Sequence, residues 1–432
     1  MSRIYVLLTC LLIVSHLSGQ TLYFPPADGA WETQSPTSLG WCAEKLDSLQ
    51  TYLGERGTKA FIILKDGRMV VEWYYDDFTP NSPWYWASAG KSLTATLIGI
   101  AQQEGFLDID DPTSDYLGEG WTSCTPEQEA AITIRHQLTM TTGLDDTTGD
   151  VDCTDPDCLQ YLAEPGTRWA YHNAPYTLLQ EVIHAATGLT ASQFFQQYIG
   201  NQIGATGLYI NLDYNRIFFS NARNMARFGL MILAQGSWDG QAVLDDPAYF
   251  QAMTTSSQEL NPSYGYLWWL NGQGAHMLPG LQFVFQQDLI PTAPDDLFAA
   301  LGKNDQKCYV VPSQNLVVIR LGDAASPVVP ALSGFDGELW AQISDLACTT
   351  TSVDDTGYPQ PLLDVFPNPA HDWLHLRTKE PPASWELFSL TGQRIASGSS
   401  QPIDTSRCPA GLYLLRVQWA DGLERIQRVA IQ

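Results

Sequence analysis

The chain has 432 residues, a length that allows two or three domains of ordinary size. Hydrophobic residues make up 44% of it and charged residues only 16%, which excludes a disordered or fibrous protein. Acidic residues outnumber basic ones by 47 to 22, and the net charge of -25 would repel a phosphate backbone or an anionic membrane surface. We therefore expect no nucleic-acid partner.

The first residues have the composition of a signal peptide. Arg3 precedes an apolar run from Ile4 to Val14, and small residues lead to a cleavage point near Gln20. The run is shorter than the roughly 20 apolar residues of a membrane span. We predict a signal peptide over residues 1–19 and a soluble, exported mature chain without a transmembrane helix.

Helical and strand periods alternate in the next hundred residues. Apolar spacing predicts a helix from about Leu39 to Arg56. Two strands, Phe61 to Leu64 and Met69 to Tyr75, surround an Asp-Gly pair that is typical of a tight hairpin. The period then becomes helical from Ser88 to Gln103, and mostly helical or irregular chain follows to about Gly236.

Strand character returns in the later part of this region. Tyr264 to Leu270 reads as a strand, and KCYVVPSQNLVVIRLG reads as two strands around residues 312–315. A last helix is predicted from Phe335 to Cys348. Strands at both ends with helices between them predict an α+β domain over residues 20–348, in which an antiparallel sheet is flanked by helices and faces a helical subdomain.

The end of the chain differs in composition. Residues 349–360 are small, polar and rich in turn formers, as expected of a linker. Residues 361–432 contain short alternating runs such as WLHLR, WELFSL and GLYLLRVQW, which predict a small β-sandwich. From Pro359 onward seven basic residues balance seven acidic ones, so the acidic excess belongs to the preceding domain.

Export permits disulfides, and seven cysteines remain once Cys10 is removed with the signal peptide. Cys153 and Cys158 are close enough to bridge, although Cys124 could pair with either. Cys42 and Cys348 lie in the first and last predicted helices of the larger domain, which would be neighbours on one sheet. No Cys/His group has zinc spacing, and we expect neither a metal nor an organic cofactor.

The segment WASAGKSLTATLIG suggests nucleophilic chemistry. Ser88 and Lys91 lie three residues apart at the start of a helix, hence on one face and within hydrogen-bonding reach. A serine hydroxyl needs a base to remove its proton, and a partly buried lysine can be deprotonated. The spacing alone favours an N-cap serine and a solvated lysine over a catalytic pair.

The wider context resembles a known group. YWASAGKSLTATLIGIAQQEGFLDIDDPTSDYL and ITIRHQLTMTTGLDD, followed by EPGTRWAYHN, resemble the serine β-lactamase, penicillin-binding protein and family VIII esterase hydrolases, especially the 6-aminohexanoate-dimer hydrolase branch. The resemblance spans about residues 39 to 348. It implies that Ser88 is the acylated nucleophile, that Lys91 and Tyr171 share proton transfer, and that Asn173 orients Lys91 and the substrate.

The third motif of that group, a Lys-Thr-Gly or His/Trp-x-Gly triplet on an edge strand, is altered here. The best match is Ala300-Leu301-Gly302, which keeps only the glycine. The resemblance then implies an oxyanion hole formed by the N–H groups of Ser88 and Lys303. Ala300 cannot hold a substrate carboxylate, although Lys303 or Lys307 could compensate. A small ester or amide is therefore favoured as substrate over a β-lactam.

Other functions stay open at this point. A D-aminopeptidase or DD-carboxypeptidase acting on peptidoglycan fragments is one alternative, and a surface binding protein without turnover is another. His172 lies beside Tyr171, but a Ser-His triad would also need an ordered aspartate. The Asp-rich stretch from Asp145 to Asp157 could bind calcium, yet it lacks the glycine and terminal glutamate of an EF-hand.

The tail has its own resemblance. LLDVFPNPAHDWLHLR, LFSLTGQRIASG and AGLYLLRVQWADGLERIQRVAIQ are similar to the C-terminal sorting domain read by the type IX secretion machinery of Bacteroidetes. This implies that residues 361–432 direct the protein through the periplasm to the cell surface or the medium, with that machinery as a partner. A carbohydrate-binding or adhesion β-sandwich is the alternative.

Overall fold

The computed structural model describes residues 22–147, 149–325, 332–348, 363–389, 393–420 and 424–432. The predicted signal peptide and linker lie outside these ranges. The chain divides into two compact units, Met1–Cys348 and Thr349–Gln432. None of the described helices is long and apolar enough to cross a membrane.

All the helices in the described ranges belong to the first unit. In chain order, the α-helices are α1 (Ala43–Glu55), α2 (Gly90–Gln103), α3 (Ser114–Leu117), α4 (Pro126–Ala130), α5 (Ile134–Leu138), α6 (Asn173–Thr187), α7 (Ala191–Phe195), α8 (Asn201–Ile203), α9 (Ala222–Leu233), α10 (Pro247–Thr254) and α11 (Gly334–Ser344). Short 3₁₀ turns include Pro36–Leu39, Ala87–Ala89 and Lys303–Asp305.

Strands occur in both units. In the first unit they are β1 (Thr58–Lys65), β2 (Arg68–Tyr74), β3 (Trp84–Tyr85), β4 (Leu208–Leu212), β5 (Asn215–Ser220), β6 (Ser237–Trp238), β7 (Gln241–Ala242), β8 (Trp269–Leu270), β9 (Phe298–Gly302), β10 (Gln306–Val311) and β11 (Leu316–Gly322). In the second unit they are β12 (Leu363–Phe366), β13 (Trp373–Thr378), β14 (Ser384–Ser389), β15 (Arg394–Gly398), β16 (Ile403–Asp404), β17 (Gly411–Gln418) and β18 (Glu424–Ile431).

A six-stranded antiparallel sheet, ordered β2-β1-β11-β10-β9-β8, is the centre of the first unit. The hairpin predicted between β1 and β2 is present. Its turn residues Asp66 and Gly67 have φ angles of 51° and 79°, the left-handed backbone that an Asp-Gly turn favours. Strands from both ends of the domain sequence are adjacent, as the sequence predicts. This confirms the α+β fold class.

Helix α2 lies in the interior of this unit. Every residue from Gly90 to Ala101 is buried, so the helix is enclosed by apolar neighbours on all sides rather than on one face. On the sheet, α9 packs against β1, β10 and β11. Gly229 of α9 permits this approach, because a Cβ there would lie 2.7 Å from Val317 Cγ1 and 2.9 Å from Cys308 Sγ.

Some predicted elements differ from the structure. The strand predicted from Tyr264 to Leu270 is reduced to Trp269–Leu270, because the preceding chain turns through Leu267, whose φ is 58°. The hairpin of β4 and β5 is not among the predicted elements, since its apolar residues alternate weakly and range from exposed in Leu208 and Leu212 to fully buried in Phe218. The helix expected from Leu39 begins at Ala43, after a 3₁₀ turn.

The second unit has two sheets, β12-β13-β16 and β15-β14-β17-β18. Alternate residues of their strands are buried and form one core, which includes Leu374, Trp385, Leu387, Leu415 and Val429. This agrees with the predicted β-sandwich. The sequence also predicts turns at Thr391-Gly392 and Asp421-Gly422, and these residues lie outside the described ranges.

Two disulfides are formed, Cys42–Cys348 and Cys153–Cys158. Both were candidates from the sequence, and the structure resolves the competition of Cys124 for the second. Among the described residues Cys124, Cys308 and Cys408 are free. Cys308 is fully buried in β10.

Candidate active site

The backbone around Ser88 forms a sharp turn between a short strand and the central helix. Trp86, which follows β3, donates its N–H to Phe218 O of β5 at 2.8 Å. Ala87 has a φ of 47°, a left-handed conformation that costs a non-glycine residue on the order of 1 kcal/mol or more. Ser88 lies next, in the 3₁₀ turn that leads into α2, and its side chain is partly exposed.

Lys91 lies one turn further on, and its ammonium group donates to Ser88 Oγ at 3.1 Å. The predicted proximity of the two side chains is confirmed. Lys91 is only 4% exposed, and burial lowers its pKa to about 7, against a weaker opposing effect of the Asp152 carboxylate. At neutral pH a large fraction of this amine is therefore unprotonated.

Two tyrosine rings enclose the Lys91 amine. Its Nζ lies 4.2 Å from the ring centroid of Tyr176 and 5.1 Å from that of Tyr171. Burial raises the pKa of the Tyr171 hydroxyl well above its usual range, while a hydrogen bond with Ser88 acts in the other direction. Ser88, Lys91 and Tyr171 are thus brought together, as the resemblance implies.

Two aromatic residues pack against the ring of Tyr171. Its ring stacks on Trp269 of β8 with centroids 5.8 Å apart and meets Tyr264 edge-on at 6.2 Å. Tyr264, Tyr266, Trp268 and Trp269 are all at most 3% exposed. This aromatic group fills the core, and it supports Tyr171 instead of lining an open pocket.

Asn173, the first residue of α6, has a different partner from the expected one. Its Nδ2 donates to Asp152 Oδ1 at 2.6 Å, and within the described part of the chain its buried Oδ1 has no hydrogen-bond partner. Asp152 lies in the Asp-rich loop that is closed by the Cys153–Cys158 disulfide. Sequence reasoning missed Asp152, because nothing distinguishes it from its acidic neighbours.

Strand β9, which lies next to the edge strand β8, reaches this site through Gly302. A Cβ added to Gly302 would lie 2.4 Å from Trp86 O and 3.0 Å from Ala89 N, so only glycine permits this approach to the Ser88 turn. Lys303 follows directly and its side chain is exposed. The structure therefore brings the predicted residues Gly302 and Lys303 to the segment that carries Ser88.

The turn after Gly302 is held by buried polar groups. Asn304 and Asp305 have φ angles of 60° and 59°. Arg320 Nη1 donates to both of their carbonyl oxygens, at 3.1 and 3.0 Å, and Gln306 Nε2 donates to Asn304 O at 2.7 Å. These bonds satisfy carbonyl groups that would otherwise be buried unpaired, and they fix the backbone beside Lys303.

Lys307 is not available to a substrate. It is fully buried, and its ammonium lies 3.2 Å from Asp305 Oδ1 and 2.8 Å from Asp336 Oδ2. The expectation that Lys307 could replace the missing cation of the triplet is therefore wrong. Ala300 itself is buried within β9, so the exposed Lys303 side chain is the remaining candidate of those considered.

His172 and the acidic loop show no catalytic or metal-binding geometry. His172 is buried, which lowers its pKa to about 4, and its Nδ1 has no partner among the described residues. In the described ranges no group of three or more His, Cys, Asp or Glu side chains is arranged to hold a metal ion.

A serine turn, a buried lysine and a tyrosine lie together beside strand β9, an arrangement that fits a serine hydrolase of the β-lactamase and penicillin-binding protein type. Comparison with known proteins agrees, since the beta-lactamase family matches residues 47–333, about two thirds of the chain. The chain belongs to that family. A secretion system C-terminal sorting domain matches residues 364–432, which indicates secretion or attachment at the cell surface.

Individual relatives are distant. The 6-aminohexanoate-dimer hydrolase of Paenarthrobacter ureafaciens is 23% identical over 338 residues, covering 69% of this chain and 81% of that protein. The fold resembles a putative 6-aminohexanoate-dimer hydrolase from Bacillus anthracis, with a TM-score of 0.57, 18% identity and coverage of 76% and 89%. It also resembles a family VIII carboxylesterase, with a TM-score of 0.53, 15% identity and coverage of 70% and 97%.

Proposed function

We propose that this protein hydrolyses small esters or amides through an acyl-enzyme on Ser88. The observation that carries the proposal is the 3.1 Å contact between Ser88 Oγ and the buried Lys91 amine, whose pKa of about 7 makes it a base at neutral pH. Neutral Lys91 accepts the Ser88 proton as Oγ attacks the carbonyl carbon, and the carbonyl oxygen becomes an oxyanion.

The N–H groups of Ser88 and Lys303 would stabilise that oxyanion. Gly302 supports this role, because its contact with the Ser88 turn leaves the two segments side by side. Lys91 and Tyr171 would then pass the proton to the leaving group, and the reverse sequence with water would release the acid. This proposal requires no metal or organic cofactor.

The substrate is proposed to be a small ester or amide and not a β-lactam, because among Ala300, Lys303 and Lys307 only Lys303 exposes a side chain that could hold a carboxylate. Ala300 carries no cation or hydroxyl, and Lys307 is held between two carboxylates. A panel of p-nitrophenyl esters, linear amide oligomers, D-amino-acid peptides and a chromogenic cephalosporin tests this choice. Turnover of the D-amino-acid peptides alone would favour the peptidoglycan-directed alternative.

Labelling with a fluorophosphonate tests the nucleophile. We expect one adduct by mass spectrometry, on Ser88, and loss of both labelling and turnover in Ser88→Ala. Ser92→Ala is the matched control, since this buried serine of the same helix donates to Leu267 O and not to the site. An adduct on another residue, or an active Ser88→Ala protein, would contradict the assignment.

We also propose that residues 1–19 are a signal peptide, residues 20–348 the hydrolase, residues 349–360 a linker and residues 361–432 an address for type IX secretion. A chain ending at residue 355 should fold and keep its activity, because the site residues all lie upstream. In the native host it should remain in the periplasm. Normal release of the shortened chain would favour an adhesion domain instead.

A further inference from the structure

The orientation of the Asn173 amide is determined by Asp152. An ionised carboxylate only accepts hydrogen bonds, so the amide nitrogen must be the atom that faces Asp152 Oδ1 at 2.6 Å. The amide oxygen then points the other way. Within the described residues this buried Oδ1 has no partner, which leaves it able to accept a hydrogen bond.

Asp152 is itself held in place by the backbone around it. Its N–H donates to Asp150 Oδ1 at 3.0 Å, and the preceding carbonyl, Val151 O, accepts from Ala174 N at 3.0 Å. The next residue, Cys153, is buried and cross-linked to Cys158. The loop that carries Asp152 is therefore attached directly to the first turn of α6, where Asn173 lies.

The charge of Asp152 also acts on Lys91. Ser88 of the preceding turn and the rings of Tyr171 and Tyr176 contact the Lys91 amine, and the Asp152 carboxylate of the loop acts on it electrostatically. Burial raises the pKa of both tyrosines, to about 12 for Tyr176, so these hydroxyls are neutral at neutral pH.

His172 lies close enough to Asp152 to interact with it, but its own pKa of about 4 keeps it neutral above pH 5. The negative charge that opposes the desolvation of the Lys91 ammonium is therefore that of Asp152.

We propose that Asp152 is a positioning residue of the active site, which orients the Asn173 amide and supplies the negative charge that acts on Lys91. The inference rests on the proposed function of Ser88 and Lys91. In this arrangement Asn173 Oδ1 accepts a hydrogen bond from a substrate N–H or from the protonated Lys91 formed during attack. The loop disulfide holds Asp152 next to the first turn of α6.

The test is the pH dependence of fluorophosphonate labelling at Ser88, which needs no knowledge of the natural substrate. Labelling requires neutral Lys91, so its rate falls at acid pH. In Asp152→Asn the lost charge makes Lys91 easier to deprotonate, and the acid limb should move to lower pH by roughly one unit. The maximal rate should also fall, because an amide at position 152 no longer fixes the Asn173 orientation.

Two further variants distinguish the effect of the charge of Asp152 from the effect of its position in the loop. Asp152→Glu keeps the charge, so its acid limb should stay near that of the unchanged chain. Asp155→Asn is the matched control, since Asp155 is an exposed residue of the same loop that accepts from Tyr214. It should change neither the limb nor the rate.

The outcomes distinguish the inference from the proposed function. If Ser88 of the unchanged chain is labelled but Asp152→Asn leaves the acid limb in place, Asp152 has no positioning role and the nucleophile assignment stands. If Ser88 of the unchanged chain is not labelled at all, both fail together. A shift of the same size in Asp155→Asn would show a general effect of loop charge and overturn the specific role of Asp152.

Discussion

Two lysines of the hydrolase unit are buried to a similar degree and have opposite surroundings. Lys91 is 4% exposed, and no carboxylate of the described residues lies within ion-pair distance of its ammonium. Lys307 is fully buried and lies between Asp305 and Asp336 at 3.2 and 2.8 Å. The first faces a serine hydroxyl and tyrosine rings, and the second faces two anions.

The difference shows that burial alone does not decide what a lysine does. A buried ammonium with only neutral direct neighbours loses its proton easily and can act as a base. A buried ammonium paired with two carboxylates forms an internal ion cluster. Such a cluster supports the folded state only while each of its charges keeps its partners. The surroundings of Lys91 therefore support its proposed role as a base, whereas those of Lys307 indicate a structural role beside strand β9.

The largest expected effect is on turnover, and it tests whether Lys91 acts as a base or as a cation. Lys91→Arg keeps a positive charge but cannot lose its proton at neutral pH, so it should be as inactive as Lys91→Met, with a rate about 10²–10⁴ below that of the unchanged chain. Steady-state turnover of the best substrate of the panel measures this. Lys45→Met, on an exposed ion pair with Asp345, is the control. Substantial activity in Lys91→Arg would mean that Lys91 serves as a cation.

Removing Lys307 should destabilise the fold. In Lys307→Met two buried carboxylates lose a shared counterion, at a cost of roughly 3–5 kcal/mol in the free energy of unfolding. Urea denaturation followed by tryptophan fluorescence measures the loss. Replacing both carboxylates as well, in Lys307→Met/Asp305→Asn/Asp336→Asn, should recover part of it. A loss below 1 kcal/mol in the single variant would contradict the cluster's structural role.

Lys91→Met should have the opposite effect on stability, and the effect should depend on pH. The folded state holds the Lys91 pKa at about 7, below its usual 10.5, so the unfolded chain binds more protons between these values. The resulting penalty is complete below pH 7 and disappears as pH rises through 10.5.

Lys91→Met should therefore stabilise the fold by a few kcal/mol at pH 6, at about 1.4 kcal/mol per pKa unit, and by much less at pH 10. Urea midpoints of the variant and the unchanged chain at both pH values provide the measurement. An equal difference at pH 6 and pH 10 would show that Lys91 has an ordinary pKa.

The smallest expected effect on stability concerns Tyr309, which is hydrogen-bonded to the ion cluster. Tyr309 donates its hydroxyl to Asp336 Oδ1 at 2.6 Å. Tyr309→Phe should cost about 2 kcal/mol of stability, as expected for a hydrogen bond to a charged group, and should leave turnover unchanged. A drop in turnover without a drop in the urea midpoint would place the cluster in the chemistry after all.

The sequence was informative where a local pattern determines the result. The Asp-Gly hairpin, the central helix and the Ser88 and Lys91 spacing depend on neighbours within a few residues, and the structure agrees with each. The adjacency of Cys42 and Cys348 was also foreseen, because the antiparallel sheet places the first and last helices of the domain together.

Features set by distant residues were not predictable. Lys303 and Lys307 are alike in sequence, but only the tertiary fold makes one exposed and pairs the other with Asp336, 29 positions away. Asp152 belongs to a run of similar aspartates, and its contact with Asn173 exists only because the disulfide loop packs against α6. The residues whose contacts depend on the tertiary fold, such as Asp152, are therefore the ones that the local sequence predicts least well.

The Cys42–Cys348 bridge has a mechanical consequence. It lies at the last residues of the hydrolase unit, and backbone bonds from Cys42 N to Leu346 O at 2.9 Å and from Cys348 N to Gly40 O at 2.6 Å accompany it. A pull on the chain beyond residue 348, by a transporter or a surface anchor, reaches α1 and α11 at the same moment. Because the bridge joins the chain before α1 to the chain after α11, unfolding from this end has to displace both helices together.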